Sequence, residues 1–257
     1  MKKISQIILI VLLVFLTASC TQVKTYNELE TEFENYLEKS KPNYIDLITN
    51  FNNLTEDVFS SIVRIDLAFR HGTGVIFQAD ENYYYILTNA HVVYTNEETN
   101  NHKVYDTNDC SYDFEIIDYS LDHDLAIIKI AKTKELTLAT FSKLNSTKNN
   151  EVIIIGYHGE QKNAVSYGSV ILFDTVDLKN NEDVKVLFPV MISNNPIKSG
   201  SSGSIVVNSE GELVGILYAG SFENNQTTAK YAFSIPVEII ISYLEENGFD
   251  PIFRGDN

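Results

Sequence analysis

Between residues 61 and 235, short apolar runs alternate with turns rich in Asp, Asn, Ser and Gly. The runs are Ser61–Ala68, Gly74–Gln78, Tyr83–Thr88, Phe114–Asp118, Leu125–Ile130, Glu151–Tyr157, Ser166–Phe173, Lys185–Ile192, Ser204–Asn208, Glu212–Tyr218 and Tyr231–Ile235. Closely spaced strands with turns between them predict an all-β sandwich or barrel. The pattern changes at both ends. Tyr26, Leu29, Phe33, Tyr36 and Leu37 recur at spacings of three and four, which suits an amphipathic helix that Lys41-Pro42 brings to a stop. A second helical stretch from Tyr44 to Phe59 carries Leu47, Ile48, Phe51 and Leu54. After the last strand, Pro236 to Leu244 reads as a helix, with proline at its start and Asn247-Gly248 just beyond it. No repeat or low-complexity tract interrupts the body, which reads as one unit of two β-halves.

The first twenty residues follow other rules. Lys2 and Lys3 precede an apolar run from Ile7 to Leu16, and then come Thr17-Ala18-Ser19-Cys20. A basic start, a short apolar stretch and small residues before a cleavage point are the build of a secretory signal. The run is shorter than the roughly 20 apolar residues a transmembrane helix needs. Cysteine directly after Ala18-Ser19 resembles the lipobox of bacterial lipoproteins, with Thr17 where that motif usually has an aliphatic residue. The resemblance implies lipidation of Cys20 and anchoring outside the cytoplasm; plain secretion is the alternative. The expected division is then residues 1–19 as signal, 20–57 as helical spacer and 58–257 as the folded body.

Composition narrows the chemistry. Against 35 acidic residues stand 19 lysines and arginines, a net charge of −16. Such a balance argues against nucleic acid as a partner, which needs a concentrated basic surface. It argues equally against holding an anionic membrane by charge alone. Two cysteines are too few for a disulfide framework or a cysteine-rich zinc site. Cleavage before Cys20 would leave Cys110 unpaired in a polar, turn-like stretch with no base beside it, so a thiol nucleophile is not expected there. His71, His91, His102, His123 and His158 offer no pair four apart with a glutamate on a helix, so no metal site and no cofactor is expected.

Three segments carry candidate chemistry. In Thr88-Asn89-Ala90-His91 a strand ends in small residues and then a histidine, which delivers an imidazole to the rim of a sheet. In Asp122-His123-Asp124-Leu125-Ala126 an aspartate stands immediately before an apolar strand, where its desolvated carboxylate would need an N–H partner. In Ser199-Gly200-Ser201-Ser202-Gly203-Ser204 small residues form a tight turn whose successive N–H groups can face one cavity around a hydroxyl. Taken singly, these also suit a surface histidine, a solvated turn and a flexible loop. Their order, His91, Asp124, Ser202, is that of the chymotrypsin arrangement.

These segments closely resemble the motifs of trypsin-like serine proteases, above all the HtrA/Deg group. Thr88-Asn89-Ala90-His91-Val92 is similar to that family's histidine motif, Asp124-Leu125-Ala126 to its aspartate motif, and Gly200-Ser201-Ser202-Gly203-Ser204 to its nucleophile loop. Leu213-Val214-Gly215-Ile216 and Tyr231-Ala232-Phe233-Ser234-Ile235-Pro236 resemble its last strands, and the likeness runs over residues 58–246. It implies two six-stranded β-barrels with the site between them. Ser202 would be the nucleophile, His91 the general base, Asp124 its orienting partner, and the N–H groups of Gly200 and Ser202 the oxyanion hole. Tyr218-Ala219-Gly220 falls where the family pairs the substrate backbone as an added strand. Pro196 stands at the pocket-floor position and, being uncharged, points to small or medium apolar residues before the scissile bond.

The resemblance has departures. Ser201 replaces asparagine or aspartate before the nucleophile, and Ser204-Ile205 replaces a Gly-Pro pair, a serine also found in the glutamyl-endopeptidase and exfoliative-toxin branch. That branch makes an acidic preference the alternative specificity. Lys198 sits close to the oxyanion loop, solvated at the rim or attracting an acidic group. No carboxy-terminal peptide-binding module of the HtrA plan is expected. The function implied is an extracytoplasmic, membrane-tethered serine endopeptidase with polypeptide substrates. The competing reading is a catalytically silent protease fold that serves as a binding lipoprotein; the oligomeric state stays open.

Overall fold

The computed structural model describes residues 54, 56–67, 70–94, 102–158, 161–178, 185–222 and 226–255. The signal, Cys20 and the helix expected over residues 26–41 lie outside the described residues, as does most of the second helical stretch. What is described of that stretch is a single turn of helix, α1 (Glu56–Ser60), leading into the first strand.

The first half is a seven-stranded antiparallel sheet built from β1 (Ile62–Leu67), β2 (Arg70–Ala79), β3 (Tyr83–Thr88), β4 (Lys103–Tyr105), β5 (Ser111–Tyr112), β6 (Phe114–Ser120) and β7 (Leu125–Ala131). The strand order is β5-β4-β1-β2-β3-β7-β6. The second half is a closed six-stranded barrel, β10-β15-β13-β12-β8-β9. Its strands are β8 (Glu151–His158), β9 (Gln161–Asp174), β10 (Val190–Ser193), β12 (Ile205–Val207), β13 (Leu213–Gly220) and β15 (Ala232–Pro236). A separate two-stranded ribbon pairs β11 (Ile197–Lys198) with β14 (Thr228–Ala229). The expected all-β double barrel is therefore present, with one difference. The second half closes by backbone hydrogen bonds, whereas the first ends on β5 and β6, adjacent in the chain and unpaired with each other.

The apolar runs are continuous rather than alternating because most central strands are buried on both faces. Val63, Ile65, Ile76, Ile86, Ile128 and Ile130 fill the inside of the first half. Their neighbours Ile62, Val75, Phe77, Leu87 and Ile127 face the other way, into an apolar layer shared with Ile153, Ile155, Ile216 and Phe233 of the barrel. Val152, Ile154, Val206, Val214 and Leu217 then fill the barrel itself. One large apolar layer thus lies between the halves, with an inner core on each side.

The last helix, α3 (Val237–Glu246), buries Val237, Ile240, Tyr243 and Leu244 in that middle layer. It stops in a Schellman arrangement: Gly248 takes a left-handed φ of 79°, its N–H donates to Glu245 O, and Phe249 N–H donates to Leu244 O. Phe249 then packs on Phe77 and Tyr85 of the first half, at ring separations of 5.4 and 4.8 Å. Tyr243 Oη donates to Asp118 Oδ2 at 2.8 Å, so the C-terminal helix also binds the first half.

Cys110 is exposed and free. The sequence gives it no cationic neighbour, yet Lys134 Nζ lies 3.2 Å from its Sγ. That lysine also pairs with the buried Asp106 at 2.6 Å, and its bond to that carboxylate raises its pKa. Lys134 therefore stays a cation and cannot act as a base toward the thiol.

Candidate active site

The pairing of β3 with β7 sets the first half of the site. Thr88 stands opposite Ala126, so the residues just beyond that pair, Asn89 to His91 on one strand and Asp124 on the other, are brought together. His91 lies in α2 (Ala90–Val93), a single helical turn that follows Asn89. His91 Nδ1 is 2.7 Å from Asp124 Oδ2, and the His91 backbone N–H donates to Asp124 Oδ1 at 2.9 Å. Asp124 is fully buried, and its backbone takes a left-handed φ of 51° that Asn89 Nδ2 secures by donating to its carbonyl at 2.9 Å. A carboxylate acceptor assigns the ring proton to Nδ1 and leaves Nε2 with its lone pair. The imidazole is about one quarter exposed, at 26%.

The second half supplies a loop held by its backbone. Ser201 N–H and Oγ both donate to Lys198 O, at 3.2 and 2.6 Å, and Ser204 N–H donates to Ser201 O at 3.0 Å. Gly200 and Gly203 take φ values of +84° and +82°, conformations that favour glycine. A Cβ on Gly203 would also lie 1.9 Å from Thr73 O, so that position admits no side chain. Ser201, the departure from the family pattern, is buried and folds back on its own loop. Among the described residues, neither Gly200 N–H nor Ser202 N–H donates to an acceptor. Ser202 itself is half-buried and forms no hydrogen bond to His91 in this structure.

Thr73 ties the two halves together. Its N–H donates to Ser202 O at 2.8 Å, its Oγ1 accepts Tyr157 N–H at 2.9 Å and lies 3.3 Å from Ser204 Oγ, and its carbonyl accepts Thr88 Oγ1 at 2.7 Å. Gly72 shows how close the approach is: a Cβ there would meet Val92 at 2.8 Å and Ser202 O at 3.2 Å. The residue after His91 and the carbonyl of Ser202 thus flank the same glycine.

The other sequence-derived site residues are placed unevenly. Ala219 and Gly220 are half-buried on β13, but the side chain of Tyr218 is buried in the layer between the halves. Tyr218 is the extra residue of a β-bulge between Leu217 and Ala219. Its hydroxyl has no partner, and burial, followed by the charge of Asp124, raises its pKa. Pro196 is exposed, and its carbonyl accepts Ser166 Oγ at 2.7 Å. The side chain that packs against Gly220 of β13 is Ile197: a Cβ on Gly220 would lie 2.7 Å from Ile197 Cδ1 and 2.9 Å from Ala229 Cβ. Asn89, Thr73 and Ile197 carry no role in the sequence reading. Asn89 had a signal, a buried polar residue inside the histidine motif, whereas Thr73 and Ile197 resemble any other strand residue.

Comparison with known proteins agrees with this fold. A family model described as a trypsin-like peptidase domain matches residues 72–216. A serine protease HtrA-like from Staphylococcus epidermidis is 28% identical over 207 residues, covering 78% of this chain and 34% of its own length. Serine protease HTRA1 of Xenopus tropicalis is 31% identical over 183 residues, covering 68% and 36%. The chain therefore spans about a third of the length of these relatives. Among solved structures, the Rv3671c protease from M. tuberculosis in its active form superposes with a TM-score of 0.65 at 19% identity, over 83% of this chain and 90% of that one. The HtrA-type protease AlgW with a decapeptide gives 0.61 at 17%, over 77% and 67%. A model matched over more than half the chain, carried on this double-barrel fold, places the protein in the trypsin-like peptidase family.

Proposed function

We propose that the protein is a serine endopeptidase in which His91, Asp124 and Ser202 act together. The observation that carries this reading is the doubly bonded His91–Asp124 pair beside a loop with two unused backbone N–H groups. Ser202 Oγ attacks the carbonyl carbon of the scissile peptide bond as His91 Nε2 takes its proton. The buried Asp124 carboxylate stabilises the imidazolium, and Gly200 and Ser202 N–H hold the oxyanion. His91 then returns the proton to the leaving amine, and water hydrolyses the acyl-enzyme by the same route. The Ser202–His91 bond forms as substrate binds, since such bonds often tighten only in the substrate complex. Ile197, packed on Gly220, supports a preference for a small or medium apolar residue before the scissile bond.

The protein works outside the cytoplasm on polypeptides, held to the membrane through a lipid on Cys20; the lipobox-like sequence supports this. Replacing Cys20 by alanine should move the protein from the membrane to the soluble fraction.

Casein cleavage at pH about 8, where histidine is mostly neutral, tests the activity beside Ser202→Ala. The variant should lose activity by roughly 10⁴-fold, as expected when a triad acts as a unit. A fluorophosphonate should label Ser202 in the wild type alone. Absence of both cleavage and labelling would instead support a binding lipoprotein on a silent protease fold.

A further inference from the structure

In a chain this acidic, the cations that stay unpaired are informative. Seven of the described lysines and arginines, from Arg64 to Arg254, hold carboxylates at 2.6–3.6 Å. Arg70 is not among them, although it stands at the site. Its Nη1 donates to His91 O at 3.2 Å and to Tyr94 O at 3.5 Å, so the guanidinium is fixed on the helical turn that carries His91. Arg70 is exposed, and among the described residues its other N–H groups meet no carboxylate.

The neighbouring His71 reaches the loop from the other half. Its Nε2 would lie 2.3 Å from a Cβ on Gly200, so the ring edge rests against the Cα of the proposed oxyanion-hole residue. That nitrogen is buried and has no hydrogen-bond partner. Asp66, opposite His71 in the β1–β2 register, is engaged by Arg64 at 3.0 Å. A buried polar atom without a partner is costly unless something supplies one, and because the His71 ring as a whole is only half-buried, a substrate group can supply it once the ring shifts off Gly200.

We propose that Arg70 and His71 form a binding site for an acidic side chain on the leaving-group side of the scissile bond. The inference rests on the protease reading. In that reading His91 hands its proton to the leaving amine, so the residues after the cut depart past α2 and the start of β2. The substrate strand Ala219-Gly220 and the wall Ile197 serve the acyl side instead. Arg70 offers a fixed guanidinium fork for a carboxylate, and His71 Nε2–H offers a donor beside Gly200. Lys198, two residues before Gly200 and likewise without a carboxylate partner among the described residues, adds positive charge to the same loop.

The test uses peptides built on a site the enzyme cuts in casein, with Glu or Gln at each of the first two positions after the scissile bond. The wild type should prefer Glu at one of them by about five- to tenfold in kcat/KM at low salt, and the preference should shrink toward one in high salt. Arg70→Gln and His71→Gln should each reduce the ratio and together abolish it, with Ser202 still labelled by fluorophosphonate. Arg254→Gln, which changes the net charge at the turn after β12, should leave the ratio intact. Equal cleavage of the Glu and Gln peptides by the wild type, or a preference that survives the double substitution, overturns the acidic site while the protease stands. No cleavage and no labelling overturns both.

Discussion

In the first half, the groups at the cleft are fixed by side chains: Asp124 takes two bonds from His91, and Asn89 holds the backbone behind it. In the closed barrel the corresponding loop is fixed by backbone, with two left-handed glycines and the Lys198 carbonyl gathering Ser201. The first arrangement is complete within its own sheet. The second acquires its position relative to His91 where the halves meet, and the polar part of that contact centres on Thr73, whose three polar atoms reach Ser202, Ser204, Tyr157 and Thr88. His91 is thus set by the first half alone, whereas Ser202 depends on how the halves meet.

Breaking the first arrangement by itself should give the largest effect. Asp124→Asn keeps the shape but replaces a carboxylate by an amide, which can donate to Nδ1 and hold the imidazole in the wrong tautomer. Activity on casein should fall by about 10⁴-fold. The fold should survive, since the bond from Asn89 Nδ2 to the residue-124 carbonyl does not depend on that side chain. A near-normal rate at neutral pH would show that His91 is not oriented as proposed.

Breaking the seam should separate the two halves. Thr73→Val is close in volume but leaves the buried Tyr157 N–H without its acceptor and removes the neighbour of Ser204 Oγ. An unsatisfied buried donor costs about 1–3 kcal/mol, so urea unfolding should shift by that amount. The kcat/KM should fall by about tenfold, because a small misplacement of reacting groups is expensive. Activity unchanged with stability reduced would mean that the apolar layer, and not Thr73, sets the position of Ser202.

The same contrast explains what was legible in the sequence. The His91–Asp124 pairing follows from two strands of recognisable type, because antiparallel register carries Thr88 and Ala126, and hence their neighbours, into contact. The Ser202 loop showed in its glycines, whose left-handed backbone leaves a trace in residue type. Short β4, β5, β11 and β14 leave no trace in the pattern, since two or three residues are too few to display a period, and the ribbon of β11 and β14 carries Ile197 against Gly220. The open edge of the first half was equally invisible: Tyr112 and Phe114 flank Asp113, and nothing in the residues says that the sheet fails to pair across it. Pro196 was reached by counting back from Ser202, but counting gives a position along the chain and not the direction of a side chain. Thr73 could not be singled out, because its role comes from a contact with a strand 84 residues away.

The smallest expected effect probes the first half away from the cleft. Asp106 is almost fully buried near β4 and β5, and burial alone would raise its pKa. Lys134, the backbone N–H groups of Cys110 and Asn108, and Tyr112 Oη outweigh that and leave it below its usual value. A lowered carboxylate pKa in the folded state gives stability that is present above the unfolded value of about 3.9 and is lost as the pH falls through the folded value. Asp106→Asn should therefore cost about 2 kcal/mol at pH 7, since hydrogen bonds to a charged group are worth about 1.5–3 kcal/mol. The gap between variant and wild type should close as the pH drops below about 4. Casein cleavage at neutral pH should be unchanged below the unfolding temperature, because the bonds of this turn across to the barrel run through Lys162, on Thr107 and Asp109, and none reaches His91, Asp124 or Thr73. A variant that lost activity while remaining folded would show that the β4–β5 edge helps to hold the cleft, and the first half could then no longer be treated as setting its base independently of its open edge.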